Sequence, residues 1–337
     1  MAAKGKRKNK LIIKVIIPLA IAVTICAALL ITNIFVPVKY LSAYFVSSKN
    51  RVEGELRVNF LNVGFGDSAL VELPDGKVML IDGGDGAYSH ELSLLKYLNS
   101  RGVDTIDYLI CTSIKDEHCG GLKEIVKYKT VKKAFIPYCT NTRINDEYHA
   151  FVAALKDKKV AYEYAGVGKG YCNKDYDLFF TFLSPVSESS PGSEYSDMNS
   201  SPTAANIEKA SVVTWLQYGD TAFAFTSDAR GETLKSIADK YEAGKLLEEP
   251  FCEIEGYSVK LEGCDVLTVP AHGGPNGSNS SWYKLTNPRC AIVSVGSNFA
   301  DYPSVSGLAD ICKYVEPLFT NEKGNIVIKA TAQDFTL

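Results

Sequence analysis

Histidine is scarce in this chain: His90, His118, His149 and His272 are the only four in 337 residues. Any chemistry that needs imidazole is confined to those positions. The nine cysteines show no Cys-x-x-Cys spacing, which excludes a zinc knuckle. No segment repeats, which excludes a solenoid or a propeller. Net positive charge is also lacking, since 36 basic residues face 39 acidic ones. Six of the basic residues (Lys4, Lys6, Arg7, Lys8, Lys10 and Lys14) fall in the first fourteen positions, which hold no acid. Without those six, 30 basic residues face 39 acidic ones, a balance of −9. Strong nonspecific nucleic-acid binding through bulk charge is therefore not expected. The local strip of Lys127, Lys129, Lys132 and Lys133 reads as solvated surface.

What is present is otherwise ordinary, with 46% hydrophobic and 22% charged residues. The exception is the run over residues 15–38, which is 24 residues long and carries no charge. At ~1.5 Å per residue it is long enough to cross ~30 Å of hydrocarbon, so it predicts one transmembrane helix. It is also longer than the ~7–15-residue core of a cleaved signal. The basic residues before it place the amino terminus in the cytoplasm and the rest outside a single-pass cell-membrane anchor. The membrane is thus an expected partner. The organisation read from this is a basic tail (1–14), the span (15–38), a linker (39–54) and one domain (55–337). Of the eight cysteines outside the span, Cys252 and Cys264 flank an apparent hairpin and are the pair to test for a disulfide. Cys111 and Cys290 sit at strand positions as small buried hydrophobes.

Along the domain, strands are predicted at 56–63, 69–73 and 78–82, with Pro74-Asp-Gly76 as a tight turn. A helix with an apolar face of Leu92, Leu94, Leu95 and Leu98 follows over 91–101. A strand at 106–111 then leads into Thr112-Ser-Ile-Lys-Asp-Glu-His-Cys-Gly-Gly121, a polar loop before a helical pattern at 122–128. A loop at a strand's carboxyl end can carry side chains that packing does not need. Further strands are expected at 134–137, 160–165 and 178–183, with a helix at 146–156. Residues 184–206 are serine-rich, with Pro185, Pro191 and Pro202, and read as one long loop. A hairpin at 211–228, a helix at 231–241, a strand at 266–270, Ala271-His-Gly-Gly-Pro275, a strand at 291–296 and a helix at 305–314 complete the chain.

Several of these stretches, in this order, resemble motifs of metallo-β-lactamase-fold hydrolases, and of the ComEC-type competence proteins among them. The stretches are Val63-Gly-Phe-Gly-Asp-Ser68, Leu80-Ile-Asp-Gly-Gly84, the 112–121 loop and Tyr218-Gly-Asp-Thr-Ala-Phe-Ala-Phe-Thr-Ser-Asp-Ala229. The resemblance covers residue 55 onward and implies an α/β fold, an αββα sandwich, preceded here by the transmembrane helix. The loop is similar to Thr-His-x-His-x-Asp-His-x-Gly-Gly, with Ser113 and Lys115 at the first two histidine positions, Glu117 at the aspartate and His118 kept. Phe65 and Tyr302 stand where the family commonly has glutamine and histidine.

By that resemblance, the first of two metal positions has lost its ligands, because a protonated lysine cannot ligate. The second position would be held by Glu117, His118, Asp228 and His272. His272 is preferred over position 271 because glycine follows it. Asp82 would stand beside the metal loop, orienting a ligand or capping backbone amides. The cofactor expectation is one divalent metal, zinc or manganese, and none if the site is dead. Lys115, with Ser113, would bind substrate, and Lys115 and Asp228 would act in catalysis. Asp67 and Ser68 would lie at the rim. His90 and His149 read as cap or surface residues and Cys119 as a packed thiol. The leading reading is a membrane-anchored extracytoplasmic protein with a degenerate metal motif, non-catalytic or weakly active. The alternative is a mononuclear metal-dependent hydrolase of phosphodiesters or related esters, with a small-molecule or phosphodiester ligand.

Overall fold

Strands whose residues alternate between two buried faces need cover on both sides, and this requirement sets the architecture of the domain. The computed structural model describes residues 17–35, 38–47, 51–186, 193–247, 256–296 and 302–337. The chain divides into two units, Met1–Ser47 and Ser48–Leu337.

In the second unit, β1 (Leu56–Phe60), β2 (Ala69–Glu72), β3 (Val78–Ile81), β4 (Thr105–Ile110), β5 (Thr130–Ile136) and β6 (Ala161–Tyr164) pair in sequence order. Near the end of the chain, β14 (Ile326–Ala330) and β15 (Phe335–Thr336) add to the β1 edge and complete eight strands. The second sheet has seven: β7 (Gly170–Asn173), β8 (Leu178–Ser184), β9 (Val213–Tyr218), β10 (Thr221–Phe225), β11 (Val266–Thr268), β12 (Cys290–Val293) and β13 (Leu318–Phe319). Strands β3 to β6 run parallel, as do β10 to β13. Their carboxyl ends therefore gather loops along one rim of each sheet.

Alternation along β8 shows how the layers form. Leu178, Phe180 and Phe182 point into the core between the sheets, where Val58, Val71, Ile81 and Ile328 meet them. Phe179 and Leu183 point the other way, into a cluster with Trp215, Leu234, Ile237 and Trp282. The helices α7 (Gly231–Glu242) and α8 (Ser280–Thr286) supply the last three of those and so cover that outer face. On the first sheet the buried Leu94, Leu95 and Leu98 of α2 (Tyr88–Ser100) and Phe151 and Leu155 of α4 (Asp146–Asp157) belong to the covering helices. Each sheet thus packs on the other and under its own helices, the αββα arrangement.

Some elements differ from expectation. The serine-rich stretch is not one loop, since it carries α5 (Glu194–Ser200) and α6 (Ala204–Lys209), capped by the side chains of Ser193 and Thr203. Tyr195 and Met198 anchor α5 by burial. The loop at 112–121 includes one helical turn, α3 (Asp116–Cys119). The helix expected at 305–314 is split into Val305–Leu308 and a 3₁₀ turn at Ile311–Lys313. Strand β7 was not foreseen, because Gly170-Tyr-Cys-Asn is too short to show a period. Cys264 is buried, whereas its expected partner Cys252 lies outside the described residues.

In the first unit, α1 runs Ile17–Phe35. Among the described residues no helix is long and apolar enough to cross a membrane. The span expected over 15–38 extends on both sides of the stretch whose side chains are described, 17–28.

Candidate metal centre

Five strand ends build this site. Asp82 directly follows β3, and the loop from Thr112 to Gly121 follows β4. In the second sheet, Asp228 comes three residues after β10, His272 four after β11, and Ser294 directly after β12. Four of the residues involved hold left-handed backbone without being glycine: Asp82 (φ 59°), Ser227 (φ 50°), Ala271 (φ 49°) and His272 (φ 53°). Each such conformation costs of order 1–3 kcal/mol and persists only where surroundings enforce it, commonly at functional sites.

The two histidines are oriented from behind. Asp82 Oδ2 lies 2.8 Å from His118 Nδ1, and the Ser294 carbonyl lies 2.8 Å from His272 Nδ1. Asp82 itself is fixed by the Thr112 backbone N–H, which donates to Oδ1 at 2.7 Å, and by the Thr112 hydroxyl. Both Nδ1 atoms face acceptors, which leaves Nε2 as the ring atom directed forward on each histidine. The two Nε2 atoms converge on one carboxylate oxygen. His118 Nε2 is 3.3 Å and His272 Nε2 is 3.4 Å from Asp228 Oδ1.

All three atoms are buried and none makes a hydrogen bond among the described residues. Buried nitrogen and carboxylate atoms this close need a proton or a metal cation between them. With Glu117, they form a set whose ligand atoms all lie within 4.8 Å of one another. Two imidazoles and two carboxylates suit zinc or manganese. Burial opposes charge on His118, but Asp228 and Asp82 outweigh it and raise its pKa. Burial likewise opposes charge on Asp228, yet His118, His272 and Lys115 hold its carboxyl well below the usual range. In Asp82 burial prevails and the pKa rises, despite His118 and Thr112.

Lys115 is placed differently from its expected role. Its ammonium contacts Asp228 Oδ2 at 2.7 Å, Glu208 Oε1 at 3.2 Å and Glu117 Oε1 at 3.7 Å. These carboxylates occupy the charge that was expected to meet substrate. Ser113 is buried and accepts the Lys115 backbone N–H at 3.4 Å, so its hydroxyl is turned into the loop instead of the cleft. Sequence reasoning missed Glu208, which α6 delivers and Arg230 also binds at 2.8 Å. Its one signal was being the only carboxylate between Asp197 and Asp220.

Asp67 and Ser68 do not line the cleft as expected: Asp67 lies behind the rings, 3.8 Å from His118 Nδ1 and 3.9 Å from His272 Nδ1, and buried Ser68 donates to the Asp82 carbonyl at 3.2 Å. His90 pairs with Asp85 at 2.8 Å, His149 contacts the Asn141 carbonyl, and Cys119 is buried with its thiol toward the Ile114 carbonyl. None of the three is in the ligand set. Phe65 and Tyr302 meet edge to face with ring centres 5.2 Å apart, and Phe65 lies 4.6 Å from the His272 ring. Phe65 and Tyr302, with Lys115, Glu117, Asp228 and His272, line an open cleft of about 340 Å³.

No known protein-family profile matches the chain. It is similar to ComE operon protein 3 of Bacillus subtilis (strain 168), with 26% identity over 261 residues. That alignment takes in 73% of this chain and 29% of the relative, so the chain spans less than a third of that protein's length. Among solved structures it is similar to a CmlA beta-hydroxylase mutant, with 11% identity over 83% of this chain and 55% of that one, and a TM-score of 0.47. It is also similar to zinc-bound PqqB from Methylobacterium extorquens, with 12% identity over 76% of each chain and a TM-score of 0.37. Likenesses as distant as these two carry no weight for the chemistry of this chain.

Proposed function

We propose that this chain, a member of the metallo-β-lactamase-fold superfamily, is a one-metal hydrolase of phosphodiesters or related esters. The observation that carries the proposal is the convergence of three buried atoms without hydrogen bonds among the described residues: His118 Nε2, His272 Nε2 and Asp228 Oδ1. His118, His272 and Asp228 would hold the ion, with Glu117 as the fourth ligand. A bound divalent ion supplies a hydroxide equivalent at neutral pH and polarises an ester oxygen. The chain's own residues do the positioning. Asp82 and the Ser294 carbonyl hold the rings, and Lys115 keeps the second oxygen of Asp228 paired and its charge in place. Phe65 and Tyr302 wall off water on one side of the cleft.

Two further readings stand beside this, the second as its alternative. The first is anchoring to the cell membrane by residues 15–38, with residues 1–14 inside and the domain outside. It is supported by the uncharged run and by Ile17, Leu19, Ile21, Val23 and Ile25, all about half exposed or more in α1. The second is binding without turnover, which the engagement of Lys115 by three carboxylates favours. An assay separates these readings: hydrolysis of bis(p-nitrophenyl) phosphate and of p-nitrophenyl acetate, with and without chelator, by the parent chain and by Asp228→Asn. Chelator-sensitive turnover that disappears in the variant is expected. Turnover equal in both proteins would show that the activity does not belong to this site, and absence of turnover in a metal-loaded chain would leave the binding reading.

A further inference from the structure

The cleft lining combines carboxylates with aromatic rings, and neither suits an anion. The carboxylates are those of Asp85, Asp116, Glu117, Glu208 and Asp228. Lys115 is the only basic side chain among the described residues of the lining, and its ammonium is engaged by Asp228 and Glu208. Arg230, just behind, binds Glu208 at 2.8 Å and Glu232 at 3.1 Å. A phosphate or carboxylate entering the cleft therefore finds no uncommitted cationic side chain. Even with a divalent ion among the histidines, five carboxylates outweigh one lysine and two metal charges. Asp116, by contrast, is exposed and receives one side-chain donor, Asn145 Nδ2 at 2.7 Å, which leaves it acceptor capacity.

The same lining includes Phe65 and Tyr302, whose ring centres are 5.2 Å apart, with Phe65 4.6 Å from the His272 ring. Aromatic faces attract ammonium groups through their quadrupole. That this is a ligand site and not merely a charged surface follows from His272 Nε2, whose side chain is 2% exposed, which makes no hydrogen bond and which lines the cleft.

We infer that the cleft selects a small ester bearing an ammonium group and discriminates against polyanions, nucleic acid included. The inference rests on the hydrolase reading for the word ester and narrows that reading from phosphodiesters, which are anions, to the related esters, while the charge preference stands on the lining alone. The test uses the full chain in detergent with zinc added. Calorimetric binding is compared for the methyl esters of Nα-acetyl-lysine, Nα-acetyl-norleucine and Nα-acetyl-glutamate. The expected order is lysine tighter than norleucine by about tenfold, with glutamate weakest. The lysine preference should shrink with added salt and in Asp116→Asn, while zinc content in that variant stays that of the parent.

Equal or tighter binding of the glutamate ester or of bis(p-nitrophenyl) phosphate would overturn the inference, as would failure of all three esters to bind. A zinc-loaded chain with an anionic preference fails this inference alone. A chain that binds no zinc yet prefers the lysine ester fails the hydrolase reading alone.

Discussion

At the scale of single residues, the site is a set of orientations imposed from behind. Asp82 makes no contact from within the ligand set's open side; it acts through His118 Nδ1 at 2.8 Å and the Thr112 backbone. Asp82→Asn should therefore weaken zinc binding by about 10–100-fold while leaving the ligand residues in place. Competition with a chromogenic chelator measures this, and unchanged affinity would assign Asp82 to backbone capping alone. Lys115→Met would leave Asp228 and Glu208 facing one another without their shared cation. Because Lys115 is partly open to solvent, the loss should be about 2–3 kcal/mol in urea unfolding, somewhat below that of a fully buried pair. Adding Glu208→Gln should recover part of it. His118, Asp228 and His272 were reached from the sequence through the resemblance of their strand-loop motifs to the metallo-β-lactamase fold, and the structure brings them together. Glu208 was not, since a lone carboxylate in a serine-rich stretch has no pattern until a helix carries it to the cleft.

At the scale of elements, two turns hold the machinery together. Gly66 (φ +147°) lets the β1–β2 turn lie on the metal loop, where an added Cβ would come within 2.3 Å of the Glu117 carbonyl oxygen. The neighbouring Asp67 N–H donates to that same oxygen at 3.1 Å. Gly66→Ala should push the loop outward, costing about 1–3 kcal/mol of stability and lowering metal affinity together. Thermal unfolding with and without zinc reads both effects. On another edge, the turn after β2 is tied to β7: Asp75 accepts from Lys77 at 2.9 Å, Tyr171 at 2.7 Å and Asn173 at 3.0 Å. Burial opposes the charge on Asp75, but these donors outweigh it and lower its pKa. A depressed folded pKa means stability that is present above the unfolded value of ~3.9 and is lost as pH falls through the folded value. Urea midpoints at pH 6 and pH 3 should differ less in Asp75→Asn than in the parent. Strands such as β8 and β10 were legible because every second residue is a large apolar one, Leu178, Phe180 and Phe182 or Phe223 and Phe225, facing the core between the sheets. The helices α5 and α6 were not, because seven and six residues are too few for helical periodicity. Side-chain caps hold both, and buried Tyr195 and Met198 also anchor α5.

At the scale of the whole molecule, the sandwich brings strand ends from two sheets into one cleft. No single segment contains the site, although ordered motifs announced it. The acidic balance of −9 outside the first fourteen residues agrees in sign with the cleft, so the field around the domain and the field within it act on ligands in the same direction. For the anchor, the full chain should sediment with membranes, resist high-salt washing and be released by detergent. Release by salt alone would point to peripheral attachment. The central claim is that one metal ion sits between His118, His272 and Asp228. The measurement that tests it most directly is metal content per chain, by mass spectrometry of the elements, in the detergent-purified protein prepared without chelator. It is made beside a His118→Ala, His272→Ala double variant of matching circular dichroism. The account predicts close to one zinc or manganese per parent chain and none in the variant. A folded parent chain that stays metal-free after exposure to both ions would contradict it.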